Sequence, residues 1–129
     1  MAWSPVRRTN AGRFEVDHPG DYATFNSYHP SDATIRLSGK VKKRQKKLSK
    51  RQYGTSHIIS RAEAKFVFEK GCGVIIVGAG HEGNVRLSPE ASDYLEKKRC
   101  GVILQPTPEA IRSFNHSKAK KIGLMHVTC

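Results

Sequence analysis

The chain has 129 residues, of which 37% are apolar and 26% are charged, and its formal net charge is +12. This is the size of one domain that buries about two-thirds of its unfolded surface, and the composition excludes a disordered or collagen-like chain. No apolar run approaches the roughly 20 residues that a membrane-spanning helix needs. The positive charge favours an acidic partner, such as a nucleic acid or an anionic membrane surface.

The cysteines indicate the compartment. Cys72, Cys100 and Cys129 are the three in the chain, and none forms a CxxC pair. An odd number without paired spacing indicates reduced thiols in a cytosol-like compartment. The N-terminus contains Arg7 and Arg8 but no apolar core, so we expect no secretory signal. We therefore expect a cytoplasmic protein, and a short mitochondrial presequence is the alternative.

The first part of the chain differs from the rest in composition. Residues 1–31 carry prolines and glycines between scattered aromatic side chains. This pattern predicts an irregular N-terminal extension with one short strand at Phe14 to Val16. Residues 32–129 are predicted to form a single α/β domain.

Alternation of apolar and polar residues begins at Thr34. Ile35, Leu37 and Val41 are apolar, and Ser38-Gly39 lies between the two runs. This pattern predicts a β-hairpin with a two-residue turn and one face inward.

A strongly basic segment follows the hairpin. Eight of the 23 lysine and arginine residues lie between Lys40 and Arg51. Because a central strand this basic would bury unpaired charges, we predict an edge strand or an extended loop, where lysines also discourage aggregation. The functional alternative is contact with an anionic surface or with nucleic-acid phosphates. The candidate contact residues are Lys42, Lys43, Arg44, Lys46, Lys47, Lys50 and Arg51.

Three helices are predicted from their start signals. Ser60 followed by Glu63 forms a capping box, and Gly71 is predicted to end that helix. Ser88 and Thr107 are each predicted to be the N-cap of a further helix, because a proline and then a glutamate follow each of them.

Three short apolar runs alternate with these helices: Gly73–Val77, Gly101–Leu104 and Ile122–Val127. Four successive β-branched residues in the first run are typical of a strand that is covered on both faces. The alternation predicts an α/β fold, a three-layer single domain with a mixed, mostly parallel central sheet, helices and an N-terminal β-hairpin layer.

The first of these strands is followed by a glycine loop, Gly78 to Gly83, that satisfies G-x-G-x-x-G. A dinucleotide site needs a helix that begins within the loop and an acidic residue after the next strand. Here the best helix start is Ser88, and Gln105-Pro106 follows the next strand. We therefore expect no nucleotide cofactor. A tight turn made for packing and a loop that binds an anion or a partner both remain open.

Loops after buried strands are where α/β sheets place ligands. The candidate ligand or partner loop residues are Thr55, Ser56, His57, Gly78, Gly80, His81, Gly83 and His126. We expect no metal, because no pair of histidines and cysteines has a recognised zinc spacing. No Ser-His-Asp order or pair of carboxylates stands out, and the sequence cannot place a base beside a thiol nucleophile. Most of the histidines are expected to be structural or solvated.

Several stretches together resemble one family of small proteins: Asp32-Ala-Thr-Ile-Arg-Leu-Ser-Gly, Lys50-Arg-Gln-Tyr-Gly-Thr-Ser-His-Ile, Val74-Ile-Ile-Val-Gly-Ala-Gly-His-Glu-Gly, Thr107-Pro-Glu-Ala-Ile-Arg-Ser-Phe-Asn and His126-Val-Thr-Cys. This family is a domain-of-unknown-function family whose relatives include an adipogenesis-associated cytoplasmic protein and a mitochondrial complex I assembly factor. The Tyr-Gly-Thr-Ser-His segment and the ending are most similar to the archaeal and adipogenesis-associated branch. The resemblance implies a three-layer α/β fold and no established reaction.

Three functions follow from the residues and the resemblance. The first is a non-enzymatic assembly, regulatory or binding factor with a protein partner, present as a monomer or weak homo-oligomer. The second is an enzyme or small-anion binder with its site at the Gly78 to Gly83 loop. The third is nucleic-acid binding through the segment from Lys40 to Arg51, although the interleaved aromatic residues typical of single-strand readers are missing there.

Overall fold

The structure, a computed structural model, describes residues 6–8, 14–16, 32–80 and 82–126. Its strands are β1 (Val6–Arg8), β2 (Phe14–Val16), β3 (Ala33–Ile35), β4 (Val41–Lys43), β5 (Ile58–Ile59), β6 (Val74–Ala79), β7 (Arg86–Leu87), β8 (Gly101–Gln105) and β9 (Lys121–His126). Its helices are α1 (Lys47–Tyr53), α2 (Arg61–Val67), α3 (Pro89–Lys97) and α4 (Thr107–His116).

A mixed sheet of five strands forms the centre of the fold, in the order β4-β3-β9-β6-β8. β6 pairs in parallel with β8 and β9, whereas β3 pairs antiparallel with β9 and β4. Two small pairs accompany the sheet: β5 with β7 in parallel, and β1 with β2 antiparallel beside α4. The predicted three-layer α/β fold with a mixed central sheet is confirmed.

The core lies on both faces of this sheet. Ile76 and Met125 pack on one face with Phe114 of α4, whereas Ile75 and Val77 pack on the other with α2 and α3. Successive residues of a strand point to opposite faces. An uninterrupted apolar run such as β6 therefore has a helical layer on each side, as the sequence predicts.

The hairpin of β3 and β4 extends this sheet by pairing with β9. Ile35 lies opposite Val41 in the register, and the amide of Arg36 donates to the carbonyl of Lys40 at 2.8 Å. The loop therefore has three residues rather than the two that the sequence suggests, and Gly39 supplies the positive φ of 89° that such a loop requires. β4 is the outermost strand and exposes Lys42 and Lys43, in agreement with the predicted basic edge.

The structure has the helix α1 where the sequence predicts an edge strand or an extended loop, because this segment lacks helix signals. Its first turn has no acidic residue and no side-chain cap, and only its C-terminus is marked, where Gly54 has a φ of 72°. Ser49 is its one buried residue, and the hydroxyl of Ser49 donates to the carboxylate of Glu63. Tertiary contact therefore supports this short helix more than local propensity does.

Two predicted helix boundaries are wrong. α2 ends at Val67 rather than near Gly71, because Phe68 takes an extended conformation. α4 includes Thr107 as its first residue, and the side chain of Thr107 does not cap the helix. By contrast, Ser60 and Ser88 act as the predicted N-caps, accepting from the amides of Glu63 and Ala91.

Candidate functional site

A buried chain of ionisable side chains lies beside the carboxyl end of β9. It begins with Asp32, which directly precedes β3, and with His126, the last residue of β9. The Nδ1 atom of His126 lies 2.6 Å from an oxygen of Asp32, and both side chains are almost completely buried. Because an ionised carboxylate only accepts hydrogen bonds, the proton of this bond belongs to Nδ1 of His126. In a neutral ring, Nε2 is then the accepting nitrogen.

Arg44 connects this pair to α2. Its guanidinium donates to Asp32 at 3.0 Å, to both oxygens of Glu63 at 2.6 and 3.0 Å, and to the carbonyl of Ser56 at 2.8 Å. Burial by itself lowers the pKa of Arg44, but the hydrogen bond and charge of Glu63, together with those of Asp32, raise it above its usual value. Arg44 therefore stays charged. It links its own strand β4 both to Glu63 of α2 and to Ser56, which follows α1.

Glu63 shows why the predicted capping box forms only in part. Its amide donates to the hydroxyl of Ser60 at 3.1 Å, as expected. Its carboxylate, however, does not return to the amide of Ser60 but binds Arg44 and Ser49. The amide of Ser60 donates instead to the hydroxyl of Ser49 at 2.9 Å. The second half of the box is thus replaced by a tertiary network.

His57 lies against the end of this chain. Its ring is 5.4 Å from that of His126 between centroids, in an edge-to-face arrangement at 83°. The amide of Arg86 fixes the backbone of His57 by donating to its carbonyl at 2.9 Å. The ring of His57 is partly exposed, whereas that of His126 is buried. Asp32, His126 and His57 thus lead from the interior toward the surface.

The glycine loop reaches the same place through Thr107. The hydroxyl of Thr107 donates to the carbonyl of His126 at 2.6 Å and accepts from the amide of Gly80 at 2.9 Å. Gly78 is needed for packing, because a Cβ there would lie 2.8 Å from the sulfur of Met125 and 2.9 Å from the hydroxyl of Thr107. The hydroxyl of Thr107 therefore connects the loop to the backbone of His126, and the missing side chain of Gly78 leaves room for Thr107.

The structure brings together part of the set that the sequence selected. His57 and His126 are in contact, Ser56 joins them through Arg44, and Gly80 joins them through Thr107. Gly83 is exposed at the outer side of its turn. The hydroxyl of Thr55 accepts locally from the amide of His57. His81 lies outside the described residues.

Five residues of the network were not selected from the sequence as part of this site: Asp32, Arg44, Ser49, Glu63 and Thr107. Arg44, one of the candidate contact residues for nucleic acid, has its side chain buried against two carboxylates. The remaining basic candidates lie elsewhere. Lys42 and Lys43 are exposed on β4, Lys46 is partly exposed before α1, and Lys47, Lys50 and Arg51 are exposed on α1.

A different kind of surface lies at the other edge of the sheet. Within the described part of the chain, β8 pairs only with β6. The amide of Gly101 donates to the carbonyl of Gly73 at 2.9 Å. Because the pattern repeats every two residues, the backbone groups of Ile103 point to β6 and those of Val102 and Leu104 point away. The side chains of Val102 and Leu104 are also 41% and 42% exposed.

Cations surround the start of this edge. Lys97 and Arg99 are exposed just before β8. Lys118 and Lys120 are exposed before β9, and the carbonyl of Lys120 accepts from the amide of Gly73 beside the start of β8. Glu96 is an exposed acid in the same area. The surroundings of the edge are therefore net positive.

Solved structures with this fold exist in several organisms. A conserved hypothetical protein from Pyrococcus horikoshii OT3 is 28% identical, with a TM-score of 0.82 over 96% of this chain and 98% of the other. A protein called MT938 is 25% identical, with a TM-score of 0.75 over 98% of this chain and 99% of the other. A protein from Bordetella parapertussis, at 17% identity and a TM-score of 0.68 over 98% of both chains, shows the fold alone.

No helix in the described part of the chain is long and apolar enough to cross a membrane.

Comparison of the sequence with protein-family models identifies the family. The chain matches a protein family of unknown function over residues 7–123. It therefore belongs to that family, DUF498/DUF598.

Proposed function

We propose that this protein is a non-enzymatic binding factor that holds an extended, acidic segment of a partner protein along the open edge of β8. The observation that carries the proposal is that Val102 and Leu104 expose their side chains and also direct their backbone groups away from β6. These two residues present both an apolar side chain and outward backbone groups. A strand added to such an edge gains main-chain hydrogen bonds, and its alternate side chains supply specificity.

Charge determines the kind of partner. The exposed cations at the start of β8 outnumber the acid beside them, and the whole chain carries a net charge of +12. Acidic residues on the partner segment would complement these cations and accelerate its association. Apolar residues at alternate positions would cover Val102 and Leu104. The expected ligand therefore alternates acidic and apolar residues in an extended conformation.

Selection from a random decapeptide library displayed on phage tests this proposal. We expect the selected peptides to combine acidic and apolar residues and to bind the native chain in solution. Leu104→Pro should weaken their binding at least tenfold, because proline removes an outward N–H group that the added strand needs. Phe66→Lys is the matched control, since Phe66 is also an exposed apolar residue, at 56%, on α2. Selection of peptides that bind Leu104→Pro as tightly as the native chain would exclude the β8 edge.

A second candidate function is the binding of a small anion by His57 and His126, favoured by the hydrogen bond of 2.6 Å from His126 to Asp32. The carboxylate of Asp32 at Nδ1 orients the ring, and because both nitrogens of an imidazolium are donors, Nε2 of that form would donate to an anion. His57, in edge contact with His126, would supply a second donor.

Titration with inorganic phosphate tests this alternative. NMR ring signals of His57 and His126 should shift together and saturate, and His57→Ala should abolish the response of His126. His116→Ala is the control, because His116 is exposed on α4. Shifts that grow linearly without saturation, or that survive in His57→Ala, would contradict a site shared by the two rings.

A further inference from the structure

A pair of buried thiols lies at the end of the sheet opposite His126. Cys72 precedes β6 and Cys100 directly precedes β8. Because β6 and β8 are parallel neighbours with Val74 opposite Gly101, the fold brings these two residues side by side. Their sulfur atoms lie 3.5 Å apart, and both cysteines are free.

The backbone around the pair is fixed by hydrogen bonds. The amide of Cys72 donates to the carbonyl of Glu69 at 3.0 Å, and that of Cys100 donates to Leu95 at 2.9 Å. A disulfide has a sulfur–sulfur distance of about 2.05 Å and joins backbones about 4.4–6.8 Å apart. Neighbouring strands run about 4.8 Å apart, which lies in that range. The two sulfur atoms, 3.5 Å apart, are thus about 1.5 Å farther apart than in a disulfide, and rotation of the side chains would have to close that gap.

The two thiols differ in their readiness to ionise. The hydrogen bond between the two thiols lowers the pKa of Cys72, whereas it raises the pKa of Cys100, and burial adds to that rise. Since the thiolate is the nucleophile, Cys72 is the sulfur that attacks first. Both residues are nearly enclosed, at 6% and 4% exposure, so only a small oxidant can reach them.

We infer that Cys72 and Cys100 form a reversible disulfide when the protein meets hydrogen peroxide. The Cys72 thiolate attacks one oxygen of the peroxide, the O–O bond breaks, and the released hydroxide takes up a proton to give water. The resulting sulfenic acid is then attacked by Cys100. The S–S bond forms as the S–O bond breaks, and the leaving hydroxide takes the Cys100 proton. Overall, two thiols lose two electrons and two protons to one peroxide, which yields two waters.

The disulfide would join the starts of β6 and β8. It would close a loop that contains α3, and closing a loop of this length restricts the unfolded chain. The oxidised protein should therefore be more stable than the reduced one, with a melting temperature higher on the order of 10 °C. This inference depends neither on the β8 edge nor on the histidines.

Oxidation of the full chain by hydrogen peroxide tests the inference. Cys129→Ser serves as the background, so that only the described pair can react. After quenching and alkylation under denaturing conditions, we expect a monomer lighter than the reduced chain by two hydrogen atoms. It should be unable to take up the alkylating reagent, should yield a peptide linked through Cys72 and Cys100, and should regain both thiols with dithiothreitol.

Two further variants make the result decisive. Cys100→Ser keeps a hydrogen-bonding group beside Cys72 but should leave Cys72 unable to form the internal bond. Its sulfenic acid should then be trapped when dimedone is added together with the denaturant. Cys72→Ala should leave Cys100 reduced at the same peroxide concentration. Two alkylatable thiols after treatment of the Cys129→Ser chain would overturn the inference. Oxidation of Cys72 beyond sulfenic acid while Cys100 stays free, or linkage only between molecules, would do the same.

Discussion

The two outer strands of the central sheet have edges of opposite character. β4 exposes Lys42 and Lys43, and the next residue, Arg44, is buried and bound to Glu63 of α2 and to Asp32. β8 exposes Val102 and Leu104 instead. Lysines on an edge disfavour the addition of a further strand, whereas apolar side chains favour it. The comparison indicates that one edge is closed by charge and fixed to the core, and that the other, among the described strands, has a neighbour on one side only.

Removing the buried cation should have the largest effect on the closed edge. We expect Arg44→Met to lower the free energy of unfolding by about 3–5 kcal/mol, because it leaves Asp32 and Glu63 buried without their cation. Urea unfolding measures this loss. Lys43→Met is the control, since Lys43 is the exposed neighbour of Arg44, and it should change stability by less than about 0.5 kcal/mol. Equal losses in the two variants would show that the network does not fix this edge.

Hydrogen exchange should reveal the open edge directly. The amide of Ile103 points to β6, and those of Val102 and Leu104 point away from it. We expect the Ile103 amide to exchange at least about 100-fold more slowly than its two neighbours, because bonded core amides open rarely. NMR-detected exchange at a fixed pH gives the three rates. Similar protection of all three amides would mean that another segment already covers β8.

Making the closed edge resemble the open one should produce self-association. In Lys42→Val with Lys43→Val, β4 loses its exposed charges and gains β-branched residues, so it becomes a template for a further strand. We expect a dimer or larger species that increases with concentration, measured by light scattering after size exclusion. The matched control is Lys47→Val with Lys50→Val, which removes the same charge from α1. Association of the control to the same extent would identify net charge, rather than the edge, as the cause.

The sequence predicts the fold better than it predicts the site. The run from Val74 to Val77 and the caps Ser60 and Ser88 are local signals, and the structure contains all three as expected. Arg44 and Glu63 are 19 residues apart, so nothing local shows that they meet in the interior. Thr107 has the pattern of an N-cap, yet its hydroxyl bonds to His126. The hydroxyl of Thr107 could cap α4 or bond to His126, and the tertiary contact with His126 is the one that forms.

Lys121 differs from the exposed lysines of β4 because it lies in the interior. Lys121, at the start of β9, is 7% exposed, and its ammonium donates to the carbonyls of Phe114 and Ser117 at the end of α4. Burial lowers the pKa of Lys121 to about 8. Its neutral amine can still donate to both carbonyls, which is why this lysine can lose its proton without losing its bonds.

The sign of the pH dependence follows from that shift. Between pH 8 and the ordinary lysine pKa of 10.5, the unfolded chain holds a proton on this residue that the folded chain has released. Stability therefore increases with pH in this window and is unaffected by the residue below it. Relative to Lys121→Met, the native chain should gain about 2 kcal/mol between pH 7 and pH 9.5. Urea unfolding of both chains at each pH measures the difference, and Lys120→Met, at the exposed neighbour, should show no such trend. A difference that is constant or that decreases with pH would mean that the carbonyls keep Lys121 charged.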